Sequence, residues 1–279
     1  MYLQHFGLRE SPFSITPDTD FFYAYPRHQE ALDVLRVALA DGEGFIKITG
    51  EVGTGKTLLC RKLLGSLPVD VLSAWLPNPQ MDAAGLRAAV AEELGIDTRR
   101  LGANELHKRL AERLIEHHEK GRQVLLVIDE AQALGEAGLE AVRLLTNLET
   151  EKAKLLQVVL FGQPELDTIL ARPSIRQLRQ RITFSYRITP LDAPSVADYL
   201  SHRMRRAGYD GQLVFDPRAA RMIARGSRGV PRLVNILAHK ALMSAYGTGE
   251  RRIARDHVRR AIHDTAAARQ SAARVWWPW

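Results

Sequence analysis

The chain has 279 residues, of which 46% are hydrophobic and 25% are charged, a composition typical of a globular protein longer than one average domain. It contains no run of about 18 apolar residues, and its first residues lack the basic stretch and apolar core of a signal peptide. Cys60, the single cysteine, has no disulfide partner, and the histidines show no spacing that forms a zinc site with it. We therefore expect a cytoplasmic protein in which Cys60 is a small core residue.

The formal net charge of +7 is unevenly distributed along the chain. Residues 1–190 contain 23 lysines and arginines against 25 aspartates and glutamates, whereas residues 191–279 contain 16 against 7. A basic C-terminal third suits contact with nucleic acid, anionic lipid or an acidic protein, because summed charge steers association without specifying the partner. An arginine-rich helix face in water explains the same excess.

Short apolar runs rich in β-branched residues predict five buried strands. These runs are Phe45–Thr49, Val71–Leu76, Val124–Ile128, Leu156–Phe161 and Thr183–Ile188. Apolar residues at spacings of three and four predict helices between the strands, at Leu58–Leu64, Ala83–Leu94, Leu106–His118 and Leu139–Leu148. Strands that alternate with helices indicate an α/β fold with an open parallel sheet covered on both faces.

After Pro190 the strand pattern stops and four helices are predicted. They are Pro194–Ala207, Pro217–Arg225, Pro231–Tyr246 and Arg255–Arg269. The start of the second helix is well marked, because Asp216 offers a capping carboxylate and Pro217 stands at the first helical position. We expect an α/β domain of residues 1–190 that includes an N-terminal segment 1–30, a helical domain of residues 191–270, and an aromatic tail of residues 271–279.

A glycine-rich loop follows the first predicted strand and matches the pattern G-x-x-x-x-G-K-[ST] in full. Glycines let the backbone wrap closely, so its N–H groups point at phosphate oxygens, and the start of the next helix adds partial positive charge. Lys56 is expected to reach the β- and γ-phosphates of ATP, and Thr57 to bind Mg²⁺ through its hydroxyl. The residues predicted to bind ATP here are Gly50, Glu51, Val52, Gly53, Thr54, Gly55, Lys56, Thr57 and Leu58.

The third predicted strand ends in two carboxylates, Asp129 and Glu130. An open parallel sheet places its ligand site at this end of its strands. We expect Asp129 to hold the Mg²⁺ shell and Glu130 to polarise the attacking water, a general-base role that needs a carboxylate about one hydrogen bond from that water. A strand end followed by a helix cap explains the pair alone, but the P-loop upstream favours the catalytic interpretation.

The order of these motifs resembles the AAA+ family of P-loop NTPases, and within it the ExeA-like (general secretion pathway A) subgroup and the ATPase of MSHA type IV pilus biogenesis. Nearly the whole chain carries the resemblance. Its other motifs are Phe6-Gly7-Leu8-Arg9-Glu10-Ser11-Pro12-Phe13, Arg27-His28-Gln29-Glu30-Ala31-Leu32, Asp129-Glu130-Ala131-Gln132, Phe161-Gly162-Gln163-Pro164-Glu165-Leu166, Gln180-Arg181-Ile182 and Gly229-Val230-Pro231-Arg232. Because the secretion ATPase continues into a membrane span and a periplasmic region that this sequence lacks, we expect the pilus ATPase to be the nearer relative.

The resemblance implies a five-stranded parallel sheet with a small helical lid, and it implies further site residues. Gln163 falls at the sensor 1 position, where Asn or Thr is more usual, and Arg232 falls at sensor 2. Arg181 falls where such proteins supply an arginine finger to the ATP of a neighbouring subunit, with Arg179 as the competing residue.

By the same resemblance, Tyr25 and Pro26 are expected to lie near the adenine, although an aromatic cluster before a helix also suits a protein core. The implied activity is ATP hydrolysis in a ring or filament of identical subunits that acts in pilus biogenesis or secretion.

A DNA-binding ATPase resembling the transposition regulators is the alternative, with the basic lid gripping phosphates. A third hypothesis is a nucleotide-binding switch that does not hydrolyse ATP. The presence of Glu130 and Arg181, which are expected to act in hydrolysis, disfavours it.

The last four residues contain three of the four tryptophans, Trp276, Trp277 and Trp279. Aromatic rings beside basic residues suit a partner groove or a membrane interface, where indole rings prefer the headgroup level. Packing of the tail onto the lid is the competing interpretation.

Overall fold

The computed structural model describes residues 2–148 and 154–269 of the chain. These residues form two compact units. One unit contains the described residues up to Pro26, the segment Gly53–Leu58 and the described residues from Thr189 onward. The other contains Arg27–Val52 and the described residues of Leu59–Ile188. We call the first the helical unit and the second the sheet unit.

The sheet unit is built on five parallel strands. The strands are β1 (Phe45–Gly50), β2 (Val71–Leu76), β3 (Gln123–Ile128), β4 (Gln157–Gly162) and β5 (Ile182–Ile188). Their order across the sheet is β2-β3-β4-β1-β5. All five predicted strands are confirmed, with each end within one residue of the predicted position.

Both faces of the sheet are covered at its centre. In β3, Val124, Leu126 and Ile128 pack in one core with residues of the surrounding helices, and the alternate residues Leu125 and Val127 are also fully buried. Because successive side chains of a strand point to opposite faces, a strand buried at every position must be covered on both.

Helices of the sheet unit connect and flank these strands. They are α2 (Pro26–Ala40), α3 (Lys56–Leu64), α4 (Ala83–Glu93), α5 (Ala103–Glu119), α6 (Gly135–Leu145), α7 (Pro164–Leu170) and α8 (Arg176–Arg181), of which α2 and α3 begin in the helical unit. Helix α6 starts four residues earlier and ends three residues earlier than predicted. It ends early because the hydroxyl of Thr146 donates to the carbonyl oxygen of Arg143, which replaces a continuing helical bond.

The helical unit contains the four helices predicted after Pro190. Together with a short N-terminal helix, they are α1 (Tyr2–Phe6), α9 (Ala193–Arg206), α10 (Pro217–Ser227), α11 (Pro231–Gly247) and α12 (Arg255–His263). Helix α12 is shorter than predicted, since the chain leaves helical geometry at Asp264–Thr265 before one more helical turn at 266–269. The aromatic tail lies outside the described residues.

The N-terminal segment requires a correction to the predicted domain division. Residues 1–30 were expected in the α/β domain, but the chain up to Pro26 groups with the helical unit. The reason is burial of aromatic side chains, because Phe6, Phe13, Phe21 and Tyr25 are all in the core formed by the C-terminal helices. Within the described residues, no helix is both long enough and apolar enough to cross a membrane.

Candidate active site

The P-loop segment Gly53–Leu58 turns sharply and then starts a helix. Gly53 and Gly55 have φ values of +82° and +95°, a region that favours glycine, and α3 begins at Lys56. Thr54 and Lys56 are buried, whereas Thr57 and Leu58 are half-buried. The strand–loop–helix setting expected from the motif is therefore present.

The start of the loop is in the sheet unit. Gly50 is the last residue of β1 and lies opposite Ile188 of β5 in the strand register. Glu51 is exposed and forms an ion pair with Arg187 at 3.7 Å, and Val52 is also exposed. Gly50 therefore marks the end of β1 at the same sheet edge at which β5 ends.

Arg232, the predicted sensor 2 residue, contacts the P-loop within the helical unit. Its backbone N–H donates to the carbonyl oxygen of Gly53 over 3.1 Å. A Cβ atom at Gly53 would lie only 2.7 Å from the Cβ of Arg232. The main chains can approach this closely because Gly53 has no side chain.

The turn that precedes Arg232 is fixed by Gly229. This residue has a φ of +71°, and a Cβ there would lie 1.8 Å from the carbonyl oxygen of Leu191. The Gly229 carbonyl oxygen accepts the Leu191 N–H at 2.9 Å. Only glycine fits between these groups. The fold therefore requires glycine at the first position of the Gly-Val-Pro-Arg motif, a requirement that the sequence alone did not reveal.

In the sheet unit, the two predicted catalytic carboxylates directly follow β3. Asp129 follows the strand directly and is 1% exposed, and its N–H donates to the Leu76 carbonyl oxygen at 2.9 Å. The Asp129 Oδ1 atom accepts the N–H of Glu130 at 2.9 Å. Glu130 has a φ of +52°, a rare left-handed conformation for a residue with a side chain.

The Glu130 carboxylate is bound by two glutamine amides. Its Oε2 atom accepts the Nε2 amide of Gln163 at 2.8 Å and the Nε2 amide of Gln132 at 2.5 Å. The Oε1 atom of Gln132 accepts the backbone N–H of Gln163 at 3.0 Å. The structure therefore brings Glu130 and the predicted sensor 1 residue together through Gln132.

Gln132 had no predicted role, although it stands in the Asp-Glu-Ala-Gln motif. The sequence feature that could have indicated a role for Gln132 is its position shortly after the buried strand β3. Sequence spacing could not show its bonds, because Gln163 comes 31 residues later and reaches it only through the pairing of β3 with β4.

Arg181 and Arg179, the two arginine finger candidates, lie in the last turn of α8 but differ in exposure. Arg181 is half-buried, and its Nη1 donates to the hydroxyl of Thr146 at 3.1 Å. Arg179 is exposed. Each remains a candidate for contact with a neighbouring subunit.

Tyr25 and Pro26 occupy different environments. Tyr25 is 7% exposed and packs in the core of the helical unit, while Pro26 is exposed and begins α2. The burial of Tyr25 supports the core interpretation of this aromatic cluster, and the predicted contact with adenine stays a prediction.

Two oxygen donors, the Thr57 hydroxyl and the Asp129 carboxylate, were predicted to bind Mg²⁺. Hard oxygen ligands of this kind suit Mg²⁺, which is commonly held by one or two protein ligands and keeps several waters. No cluster of three or more His, Cys, Asp or Glu side chains placed to hold a metal occurs in the part of the chain that the structure describes. Hydroxyl and carboxylate oxygens are chemically suited to Mg²⁺, and its binding by these two residues stays a prediction.

Cys60 is fully buried in α3. Burial, and to a smaller extent the charge of Asp129, raises the pKa of its thiol. A thiol that resists ionisation is a poor nucleophile. The prediction that Cys60 is a core residue is confirmed.

Known proteins share this architecture. Residues 39–170 match a protein family described as an AAA domain. The Cdc6p protein of Pyrobaculum aerophilum superposes with a TM-score of 0.68 at 23% identity, over 88% of this chain and 70% of that chain. The chain has an AAA-type α/β P-loop fold.

Other solved structures support the same assignment of the fold. Drosophila ORC bound to DNA gives a TM-score of 0.69 at 18% identity, covering 97% of this chain and 68% of that chain. The Holliday junction branch migration motor RuvB of Thermotoga maritima gives 0.59 at 18% identity, covering 91% and 73%. At these identities the similarity concerns the fold alone.

Among curated proteins, the general secretion pathway protein A of Aeromonas hydrophila is 40% identical over 296 aligned residues. The alignment includes 100% of this chain and 54% of the relative. The chain therefore spans about half the length of the curated relative that it matches.

Proposed function

We propose that this protein is an AAA+ ATPase that binds Mg-ATP and hydrolyses it to ADP and phosphate. The observation that carries the proposal is the fixed carboxylate of Glu130 at the end of a buried strand, in a chain with a complete P-loop. A carboxylate held in one orientation at a sheet edge is suited to general-base catalysis.

Each predicted residue has a separate task in this reaction. The P-loop backbone and Lys56 bind the phosphates, and Arg232, in the proposed lid of residues 191–270, contacts phosphate from the same subunit. A bound Mg²⁺, held by Thr57 and Asp129, would neutralise charge that develops on the phosphate oxygens. Glu130 accepts a proton from water as the water oxygen bonds to the γ-phosphorus and the bond to the bridging oxygen of ADP breaks.

Lys56→Ala and Glu130→Gln test this proposal. Lys56→Ala should abolish tight ATP binding because the cation nearest the phosphates is lost, whereas Glu130→Gln should bind ATP with near wild-type affinity and lose nearly all turnover, which leaves only a slow residual rate. Fluorescent nucleotide titration and phosphate release measure the two effects. Lys108→Ala and Glu119→Gln are matched controls, because both side chains are exposed on α5. Equal turnover of Glu130→Gln and wild type, or hydrolysis in excess EDTA, would contradict the mechanism, whereas ATP binding without phosphate release in the wild type would favour a switch without turnover.

We further propose that the ATPase works as a homo-oligomeric ring or filament in secretion or MSHA-type pilus assembly, in the cytoplasm or at the inner face of the membrane. The 40% identity to the general secretion pathway protein A supports the broader role in secretion. Contact of the tryptophan tail with a membrane is part of this proposal. Deletion of the gene should remove surface pili or block secretion, and the Glu130→Gln variant should fail to restore either. Normal pili and normal secretion in the deletion strain would reject the assignment.

A second candidate function, ATP-dependent DNA binding, is favoured by one surface of α10. Three exposed arginines share this surface, namely Arg218, Arg221 and Arg225, and the exposed Arg228 is the left-handed C-cap just beyond the helix. At 100° per residue the three helical arginines fall within about 60° of the helical wheel and span about 10 Å along the axis. The opposite side is buried, and none of the four arginines forms a side-chain ion pair with the described residues. An unpaired row of guanidinium groups is suited to phosphate, which they can bind bidentately.

Salt-dependent binding to duplex DNA tests this second function. Affinity for DNA falls as salt is raised, and the double variant Arg221→Ala/Arg225→Ala should make this fall shallower. The slope of log affinity against log salt should decrease in magnitude by about 0.9 for each phosphate that these arginines neutralise in the wild type. Arg259→Ala is the control, because Arg259 is paired with Asp256 at 2.8 Å. The same slope for wild type and the double variant, or no retention on DNA with ATP present, would reject DNA binding by these arginines. They would then form an arginine-rich helix face in water.

A further inference from the structure

Two amides converge on one oxygen of Glu130. The Nε2 atoms of Gln132 and Gln163 both bind Oε2, at 2.5 Å and 2.8 Å. The Oε1 atom accepts no hydrogen bond from any described residue. The two carboxylate oxygens are therefore not equivalent, since one accepts two side-chain amides and the other accepts no hydrogen bond from the described residues.

The orientation of the Gln132 amide is fixed by its second bond. Its Oε1 accepts the backbone N–H of Gln163, so its Nε2 must face the carboxylate. Gln163 is the N-cap residue of α7, directly after β4. Gln132 therefore ties the Glu130 side chain to the end of the neighbouring strand.

The backbone of Glu130 is held as well. Its N–H donates to Asp129 Oδ1 at 2.9 Å, and its φ of +52° places the residue in a left-handed conformation. Such conformations persist where surrounding interactions enforce them. The residue is thus restrained at its main chain and at one carboxylate oxygen.

We infer that Gln132 is a positioning residue that fixes Glu130 through Oε2 and reserves Oε1 for the proton of the attacking water. The inference rests on the proposed ATPase activity. In the reaction, the water gives one proton to Oε1 while its oxygen bonds to the γ-phosphorus and ADP departs with the electrons of the broken P–O bond. Gln132 touches neither water nor phosphate in this scheme, and it acts through the carboxylate. Correct placement matters because an error of about 1 Å can lower a rate about 100-fold.

Kinetics of Gln132→Met test the inference, since methionine has a similar length but cannot donate to the carboxylate. We expect kcat to fall about 10- to 100-fold while the KM for ATP changes less than about 3-fold. Gln132→Glu places a second carboxylate against Oε2 and should lower kcat at least as much, which provides a second variant if one folds poorly. Gln212→Met is the control, because Gln212 is exposed in the helical unit.

A double variant separates positioning from a general structural role. In the Glu130→Gln background, Gln132→Met should lower the residual turnover no further, because its effect requires the carboxylate. Wild-type kcat in both Gln132 variants, a raised KM with unchanged kcat, or a further loss in the double variant would overturn the inference.

A measurement without turnover keeps the inference separate from the proposed function. The side-chain amide NMR signal of Gln132 should exchange slowly with solvent in the wild type and shift in Glu130→Ala. If wild type shows no Mg²⁺-dependent hydrolysis, the proposed function fails and the catalytic role of Gln132 fails with it, whereas a protected Gln132 amide would still support the bond to Glu130. Fast exchange in an active wild type would reject the positioning role alone.

Discussion

The backbone N–H of Arg232 donates to the carbonyl oxygen of Gly53 over 3.1 Å, so the P-loop and the predicted sensor 2 residue are joined through their main chains. The bond requires close approach, since a Cβ at Gly53 would lie 2.7 Å from that of Arg232. A change at Gly53 is therefore expected to affect Arg232 as well as the loop itself.

Gly53→Ala should weaken ATP binding at least 10-fold and lower the melting temperature. Two costs contribute, namely the strain of alanine at a φ of +82°, about 1–2 kcal/mol, and the displacement of Arg232. Gly249→Ala is a matched control, because its φ is +73° but nothing lies within 4 Å of the added Cβ. Gly249→Ala should lower the melting temperature through the same backbone strain but should leave ATP affinity unchanged. Equal ATP affinities in both variants would indicate that the loop tolerates the displacement.

Arg181→Ala should leave ATP affinity nearly intact and lower turnover by about 10³- to 10⁵-fold, the effect of removing an arginine finger. The lost turnover should be that of ATP bound to the neighbouring subunit. A mixture of Arg181→Ala and Glu130→Gln subunits should regain some phosphate release, because interfaces with an intact Glu130 and an intact Arg181 reappear. If the mixture co-assembles and stays inactive, the exposed Arg179 becomes the finger candidate.

Thr146→Val separates the finger from the hydrogen bond that Arg181 makes within its own chain. This variant removes the hydroxyl that accepts the Arg181 Nη1 at 3.1 Å but keeps the guanidinium. Turnover should remain within about 3-fold of wild type if Arg181 acts on a neighbour. A loss as large as that of Arg181→Ala would make the Arg181 contact structural.

Arg203→Met should loosen the N-terminal segment from the helical unit. The Arg203 side chain is 4% exposed, donates to the carbonyl oxygens of Pro12 and Ser14 at 2.5 and 3.2 Å, and lies 4.4 Å from the centre of the Phe21 ring. Hydrogen bonds of a charged group contribute about 1.5–3 kcal/mol, so a clear fall in melting temperature is expected.

Limited proteolysis measures the release of this segment, since the variant should be cut faster after Arg9 than wild type. Arg205→Met is the control, because Arg205 is exposed on the same helix. Unchanged cleavage and melting temperature in Arg203→Met would show that aromatic burial alone holds the segment.

His117 should make stability depend on pH. Its ring is buried in α5, and neither ring nitrogen has a hydrogen-bond partner among the described residues. Burial lowers the pKa of His117, and the nearby Arg113, Arg122 and Lys120 lower it further, whereas Glu116 opposes them. Below the unfolded pKa of about 6.5, the unfolded chain binds a proton that the folded chain resists. Stability should therefore fall as the pH decreases through this value.

Urea unfolding at pH 7.5 and pH 5.0 checks the contribution of this histidine. His117→Leu should reduce the difference in unfolding midpoint between the two pH values, since the buried titratable group is gone. His118→Leu, a change at an exposed neighbour, should keep the wild-type difference. The same pH dependence in His117→Leu and wild type would exclude His117 as its source.

Much of the fold follows from local sequence pattern. Strand β3 reads as a continuous apolar run because parallel strands are buried on both faces, and Gly50 to Thr57 match a pattern whose glycines are needed for a tight loop. These signals are contained within a few consecutive residues. The sequence alone was therefore sufficient for the five strands, the P-loop and the positions of Asp129 and Glu130.

Tertiary structure alone decided the relationships between distant residues. The N-terminal aromatic side chains carry no helix or strand period, so only packing could assign them to the helical unit. Gln132 and Gln163 meet at Glu130 because β3 and β4 are neighbours in the sheet, an order that crossover connections leave open in the sequence. Hydrogen bonds between side chains depend on positions within a few tenths of an ångström, and such distances are set by the packing of the whole sheet rather than by the residues that make the bond.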